Sequence, residues 1–212
     1  MADAYLNSSS LAYAENFLAE DEVTAAARAR GAEMGCTPIG RAGGATLRLL
    51  ATLVSAKSVV EVGTGAGVSG LWLLAGMRPD GVLTTVDTEP EHQRAARQAF
   101  GEAGIGTTRY RLINGAAAEV LPRLNDSSYD LVFVDADKTG YSEYFEQGVR
   151  LLRSGGVLAF DNALWGDRVA DPNARDAETV ALRELGRTLR EDTRLVPALL
   201  PVGDGLLVAA KR

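Results

Sequence analysis

Five short apolar runs lie between residues 58 and 161, and a stretch with helical spacing separates each from the next. The runs fall at 58–63, 82–87, 109–113, 129–135 and 156–161; the helical stretches fall at 67–77, 89–103, 116–124 and 141–152. Alternation of this kind builds βαβ units, and those build a parallel sheet, because parallel neighbours need a long crossover between them. Leu131-Val132-Phe133-Val134 shows no polar alternation, which suits a strand covered on both faces. A further helix is predicted over 176–191, then strands over 194–201 and 205–211. Between those strands, Pro201-Val202-Gly203-Asp204-Gly205 holds an Asp-Gly pair, a hairpin signature, so the sheet is expected to close with an antiparallel strand. The fold class is therefore α/β, with a mostly parallel sheet.

Residues 1–56 read as helices over 10–20, 21–34 and 41–55, with Thr37-Pro38-Ile39-Gly40 breaking the last two apart. No Pro/Ser-rich linker follows. The expectation is one domain over 1–212, with 1–56 a helical appendage on an α/β core at 57–212.

Charge and composition narrow the chemistry. The 22 basic and 28 acidic residues leave a net charge of −6, which argues against a nucleic-acid surface. No apolar run approaches the ~20 residues that span a bilayer; the nearest, 47–56, is interrupted by Arg48. Met1-Ala2-Asp3-Ala4 lacks the basic and apolar regions of a secretory leader, so the expected location is cytoplasmic. A single cysteine, Cys36, excludes an internal disulfide and a Cys-based zinc cluster. A single histidine, His92, excludes a His-rich metal site. Chemistry must come from Asp, Glu, Asn, Lys and Gly. Only three of the 22 basic residues are Lys, so a Lys inside a motif points to a role that Arg, which keeps its proton, cannot fill.

Four motifs sit at predicted strand ends, where α/β sheets bind ligands. The first is Glu61-Val62-Gly63-Thr64-Gly65-Ala66-Gly67. Its Gly65-x-Gly67-x-x-Gly70 register matches a dinucleotide fingerprint and leaves an NAD-dependent oxidoreductase open. The fuller reading is an acid followed by three alternating glycines, with Glu61 placed to attract a cationic ligand. The second is Asp87, suited to ribose hydroxyls or to a helix cap. The third is Asp135-Ala136-Asp137-Lys138 and the fourth Asp161-Asn162. Asp135, Asp161 and Asn162 together offer three hard oxygen donors for Mg²⁺, Mn²⁺ or Ca²⁺.

Taken in order, these motifs, with Asp-Ala-Asp-Lys-x-x-Tyr-x-x-Tyr at 135–144, Asp-Asn-x-x-Trp at 161–165 and Pro-Val-Gly-Asp-Gly at 201–205, make residues 35–212 resemble the cation-dependent O-methyltransferases, the group of the caffeoyl-CoA and catechol enzymes. The resemblance implies a class I methyltransferase Rossmann-like sheet and S-adenosylmethionine (SAM) as methyl donor. It implies that Glu61, Gly63, Thr64 and Gly65 line the methionine part of SAM and that Ser69 binds its carboxylate. Asp87 would hold the ribose, Ala116 face the adenine, Ile39 close over the cofactor and Asp137 lie close to it. Asp135, Asp161 and Asn162 match the metal ligands, Lys138 the catalytic base, and Asp135 with Trp165 would meet the acceptor, a catechol-type or other vicinal diol. A homodimer through the N-terminal helices is implied too. Val68 departs from the pattern, standing where Tyr is common. A metal-independent methyltransferase and a silent binding protein of this fold stay open, since function resides in the site.

The remaining conspicuous residues are read plainly. His92 lies on a polar helical stretch and is expected on the solvated surface, Cys36 as an inert, partly buried thiol. Tyr141 and Tyr144 share a helical face, as core or as a substrate wall. Arg150, Arg153 and the run Arg183–Arg194, interspersed with acids, are expected on solvated faces.

Overall fold

The computed structural model describes residues 7–212; the reading of Met1–Ala4 lies outside them. Three helices come first: α1 (Ser8–Glu15), α2 (Glu22–Glu33) and α3 (Arg41–Leu53). Then follow β1 (Ser58–Val62), α4 (Val68–Gly76), β2 (Val82–Asp87), α5 (Pro90–Glu102), β3 (Tyr110–Asn114), α6 (Ala117–Val120), β4 (Tyr129–Val134), α7 (Tyr141–Leu151), β5 (Leu152–Phe160), α8 (Ala177–Glu191), β6 (Leu195–Leu200) and β7 (Leu206–Lys211).

The seven strands form one sheet in the order β3-β2-β1-β4-β5-β7-β6. The first five run parallel, and β7 is antiparallel to both its neighbours. The chain builds outward from β1 to β3, then returns to lay β4 on the other side of β1. That reversal opens a crevice at the carboxyl ends of β1 and β4, where such sheets take ligands. Successive strand residues feed opposite faces. Val59 joins a core with Leu47, Leu73 and Phe100, while Val60 joins one with Tyr141, Phe145 and Phe160. Helices cover both faces, which is why the strands carry no polar alternation. Ala27, Ile39, Leu47 and Ala51 belong to the same core as Leu71 and Leu83, and α2 and α3 pack on α4 and α5, which cover the sheet. No described helix is long and apolar enough to cross a membrane.

Three boundaries differ from expectation. The first helix occupies 8–15 rather than 10–20, because the Asn7 side chain accepts from Ser10 N and the Asn16 side chain donates to Ala12 O, capping both ends early. The stretch 116–124 splits into α6 and a 3₁₀ turn over Leu121–Arg123, where Pro122 cannot donate to a helix. β5 begins at Leu152, four residues early, because Leu152 pairs with Tyr129 before the register shifts ahead of Leu131. Gly155, at φ +75°, sits inside this irregular strand.

Candidate active site

A cavity of about 690 Å³ crosses the carboxyl ends of β2, β1, β4 and β5. At its β2 side, Ile39, Gly63, Thr64, Gly65, Ser69 and Asp87 line the wall. Glu61 lies fully buried behind it. Ala116 is the cap of α6, between Gly115 and Ala117, which do line the cavity.

Gly63 has φ +96°, and a Cβ there would stand 1.9 Å from the Asp135 carbonyl oxygen. The glycine therefore lets the tips of β1 and β4 meet. The turn that follows aims the backbone N–H groups of Thr64 and Gly65 at Asp87 Oδ2, at 2.9 and 3.0 Å. Asp87 Oδ1 accepts from Glu89 N at 2.9 Å. The Asp87 carboxylate thus ties the glycine loop to the tip of β2. Glu61 Oε1 accepts from Ser69 Oγ at 2.6 Å, while its Oε2 has no partner. Burial pushes the Glu61 carboxyl up to about 7. An unpartnered, fully buried carboxylate oxygen is costly alone and suits a cationic group of a ligand.

His92 is not on the solvated surface. Its side chain is 22% exposed, with Nδ1 at 3.1 Å from Asp87 Oδ2 and Nε2 at 3.3 Å from Cys36 Sγ. It thereby links the loop after α2 to the Asp87 carboxylate. Cys36 is partly buried, as expected, and burial, then Asp87 and Asp135, raise its thiol pKa.

At the β4 and β5 side, Asp135, Asp137, Lys138, Asn162 and Trp165 line the cavity. Lys138 opens a 3₁₀ turn over Lys138–Gly140 and is only 7% exposed. Its Nζ donates to Asp135 Oδ1 at 3.1 Å and to the Tyr141 hydroxyl at 2.7 Å; that hydroxyl donates to Asp161 O at 3.2 Å. Tyr141 is thus a buried support for Lys138 rather than a wall. Tyr144 reaches the cavity and donates from its hydroxyl to Asp137 Oδ1 at 2.7 Å. Lys138 Nζ also lies 4.9 Å from the Tyr141 ring centre and 5.7 Å from that of Trp165.

Asp161 is 4% exposed, and burial first, then Asp135, push its carboxyl up to about 7. Two neighbouring carboxylates here face a single lysine. A divalent cation fits that imbalance, and the donors are hard oxygens. Among the described residues no group of three or more His, Cys, Asp or Glu suits a metal. A cation here would therefore need the Asn162 amide as well as the two aspartates.

The loop after β5 is held in an unusual conformation. Asn162, Trp165, Gly166 and Asp167 have φ of 57°, 52°, 57° and 63°. For a bulky residue such as Trp this costs energy that surrounding contacts must supply. The β6–β7 hairpin supplies some: Asp204 O accepts from Leu164 N at 2.9 Å and Asp204 Oδ1 from Gly166 N at 2.7 Å. Gly205, at φ +86°, is required because a Cβ would fall 2.5 Å from Leu164 Cγ. Arg183 supplies more. Its guanidinium donates to Val169 O at 3.0 Å, Ala174 O at 2.8 Å, Arg168 O at 2.9 Å, and Asp171 O. Arg150 likewise donates to Leu121 O at 2.7 Å, and Arg153 to Val54 O at 3.3 Å. These three arginines are loop clamps, not merely members of solvated faces.

Sequence reasoning also left out Gln93, Glu178 and Asp204 as site residues. Gln93 Nε2 donates to Thr64 Oγ1 at 3.0 Å and to Ile113 O at 3.1 Å. Glu178 and Asp204 line the cavity. Asp204 stood in a motif read as a hairpin turn and as part of the family pattern, with no site role assigned to it; nothing in the sequence marked Glu178.

The model of a family described as "O-methyltransferase" matches residues 8–212. A Mycobacterium tuberculosis protein named "Probable O-methyltransferase" is 59% identical over 200 residues, covering 94% of this chain and 89% of its own. A solved protein of Corynebacterium glutamicum superposes with TM-score 0.88 at 32% identity, with 94% of each chain covered. The O-methyltransferase TomG of Streptomyces achromogenes, involved in tomaymycin synthesis and solved in complex with SAM, gives TM-score 0.86 at 29% identity, covering 100% of this chain and 99% of its own.

Proposed function

Because the chain belongs to the O-methyltransferase family, we propose that it transfers the methyl group of SAM to one hydroxyl of a catechol-type or other vicinal diol, assisted by a divalent cation. The observation that carries this reading is the buried Lys138, held between Asp135 and Tyr141 beside the buried Asp161, in the cavity that Asp87 and the glycine loop enter from the other side. SAM fits the β2 side. Glu61 Oε2 is free for the ammonium of its methionine part, Ser69 stands near for the carboxylate, and Asp87 for the ribose hydroxyls. Ala116 lies at the adenine end, and Ile39 covers the cofactor, with Asp137 near it. Asp135, Asp161 and Asn162 hold the cation, Mg²⁺ in the first instance, with Mn²⁺ and Ca²⁺ as the other hard ions; when bound, it orients the diol and lowers the pKa of its hydroxyl. Trp165 offers a face to a planar ring. Lys138 Nζ, in its neutral amine form, takes the proton of the reacting hydroxyl, and the resulting oxyanion attacks the methyl in line as the methyl–sulfur bond breaks and S-adenosylhomocysteine leaves. Charge is neutralised as the sulfonium is consumed, so positioning and exclusion of water supply much of the catalysis.

The test is a diol panel assayed with labelled SAM, with and without EDTA. Methyl transfer that chelation abolishes and Mg²⁺ restores is the expected outcome. Full turnover after exhaustive chelation would remove the cation from the mechanism, and calorimetry showing no SAM binding would remove the reading. The exposed Tyr13 and Phe17 near α1, with Leu49 and Leu53 on α3, support self-association through the N-terminal helices as a homodimer. Light scattering should then give twice the 22.4 kDa chain mass.

A further inference from the structure

We infer that Glu178 makes the acceptor end of the cavity selective for a diol whose far end carries a positive charge, against one that ends in a carboxylate or phosphate. This rests on the diol reading above and adds the charge class of the acceptor. The cavity runs along the sheet edge, so the elements that line it sort by position. Asp87 and the glycine loop stand at β2 and β1. Glu178 enters from the first turn of α8, which packs on the Lys138–Gly140 turn, on α7 and on β6. Asp204 enters from the neighbouring hairpin, where its Oδ1 accepts from Gly166 N at 2.7 Å, next to Trp165. Both therefore face the half that holds Lys138, Asn162 and Trp165.

The charge there is one-sided. Glu178 is half-buried and makes no hydrogen bond or ion pair with any described residue. Asp137 accepts from Tyr144 and Gly140 and meets no cation; Asp204 accepts from Gly166 N and meets none either. Against these, Lys138 is the sole Lys or Arg among the residues that line the cavity. The chain has nineteen arginines and places none of them there. An acid in the first turn of a helix also complements the helix dipole. In α8, however, Asp176 already caps the end, accepting from Thr179 N at 3.0 Å. Glu178 remains uncompensated on the cavity side. In a partly water-excluded cleft, an unpaired carboxylate favours a cationic end group and repels an anionic one, and the preference weakens with salt.

The test uses three acceptors that differ only in their end group: 3,4-dihydroxyphenyl-ethylamine, -ethanol and -acetate. The ratio of kcat/KM for the amine over the acetate is expected to exceed about tenfold in the wild type and to shrink as salt rises. Glu178→Gln should reduce that ratio at least about fivefold, and Glu178→Lys should move it towards the acetate. Glu184→Gln, on the exposed side of the same helix, should leave it unchanged. Calorimetric binding of the amine and the acetate to protein loaded with S-adenosylhomocysteine reports the same preference without methyl transfer. A wild-type ratio near one, or a ratio that Glu178→Gln leaves unaltered, overturns the inference while turnover of the neutral alcohol keeps the diol reading standing. If no diol is methylated, that reading fails, and the two binding constants still decide this one.

Discussion

Lys138 illustrates how much a single side chain can be constrained by its neighbours. Asp135 and the Tyr141 hydroxyl fix its Nζ, and two aromatic rings flank it. If it takes the proton of the acceptor, Lys138→Ala should lower turnover by ~10²–10⁴-fold with SAM affinity nearly unchanged. Lys138→Arg should fail almost as badly, because a guanidinium keeps the charge but accepts no proton. An Arg variant with near wild-type turnover would reduce Lys138 to a positioning charge. The prominence of Lys138 was legible in the sequence, as one lysine of three sitting in an acidic motif. His92 was not. It lies on a polar helical stretch, and its partner Cys36 is 56 residues away, so only the folded chain brings the two together. Arg183 shows the same limit: its bonds go to main-chain carbonyls, which have no sequence identity to read.

At the scale of elements, the strands were readable because burial on both faces leaves unbroken apolar runs, and Leu131 to Val134 make such a run in β4. What could not be read was the loop between β5 and α8, whose left-handed residues are stabilised from outside it. That loop yields a prediction. Arg183→Ala removes donors from four carbonyls and should destabilise the fold by about 1–3 kcal/mol, the scale of a hydrogen bond to a charged group. Its effect on acceptor KM should exceed its effect on SAM affinity, since the loop carries Asn162 and Trp165 and no part of the glycine turn. Steady-state kinetics alongside a urea melt would check both. Equal loss of SAM affinity would mean that Arg183 serves the whole fold rather than this loop.

For the whole molecule, the buried Glu61 links stability to pH. Burial pushes its carboxyl up to about 7 in the folded protein, against an ordinary value of 4.5. Between those values the unfolded chain releases a proton that the folded chain keeps. Unfolding free energy therefore falls as pH rises from about 4.5 to about 7 and is flat above, by about 3 kcal/mol for this group. Glu61→Gln should lack that decline, so the stability difference between variant and wild type should grow in the variant's favour across this window. Urea melts from pH 4.5 to 8 measure it, and parallel profiles for the two proteins would contradict it. A cationic ligand at Oε2 should draw Glu61 into its ionised form and offset the decline.

The reversal of strand order between β1 and β4 has a consequence for inheritance. Residues lining the half proposed for the methyl donor lie between Cys36 and Ala117, and those lining the half proposed for the acceptor, with Asp137 shared, lie between Asp135 and Asp204. Each half of the cavity is one uninterrupted stretch of gene. A single recombination event in the loop at residues 124–128 could exchange the acceptor preference of such an enzyme and keep its methyl donor. Lineages could then diversify what they methylate without reinventing how.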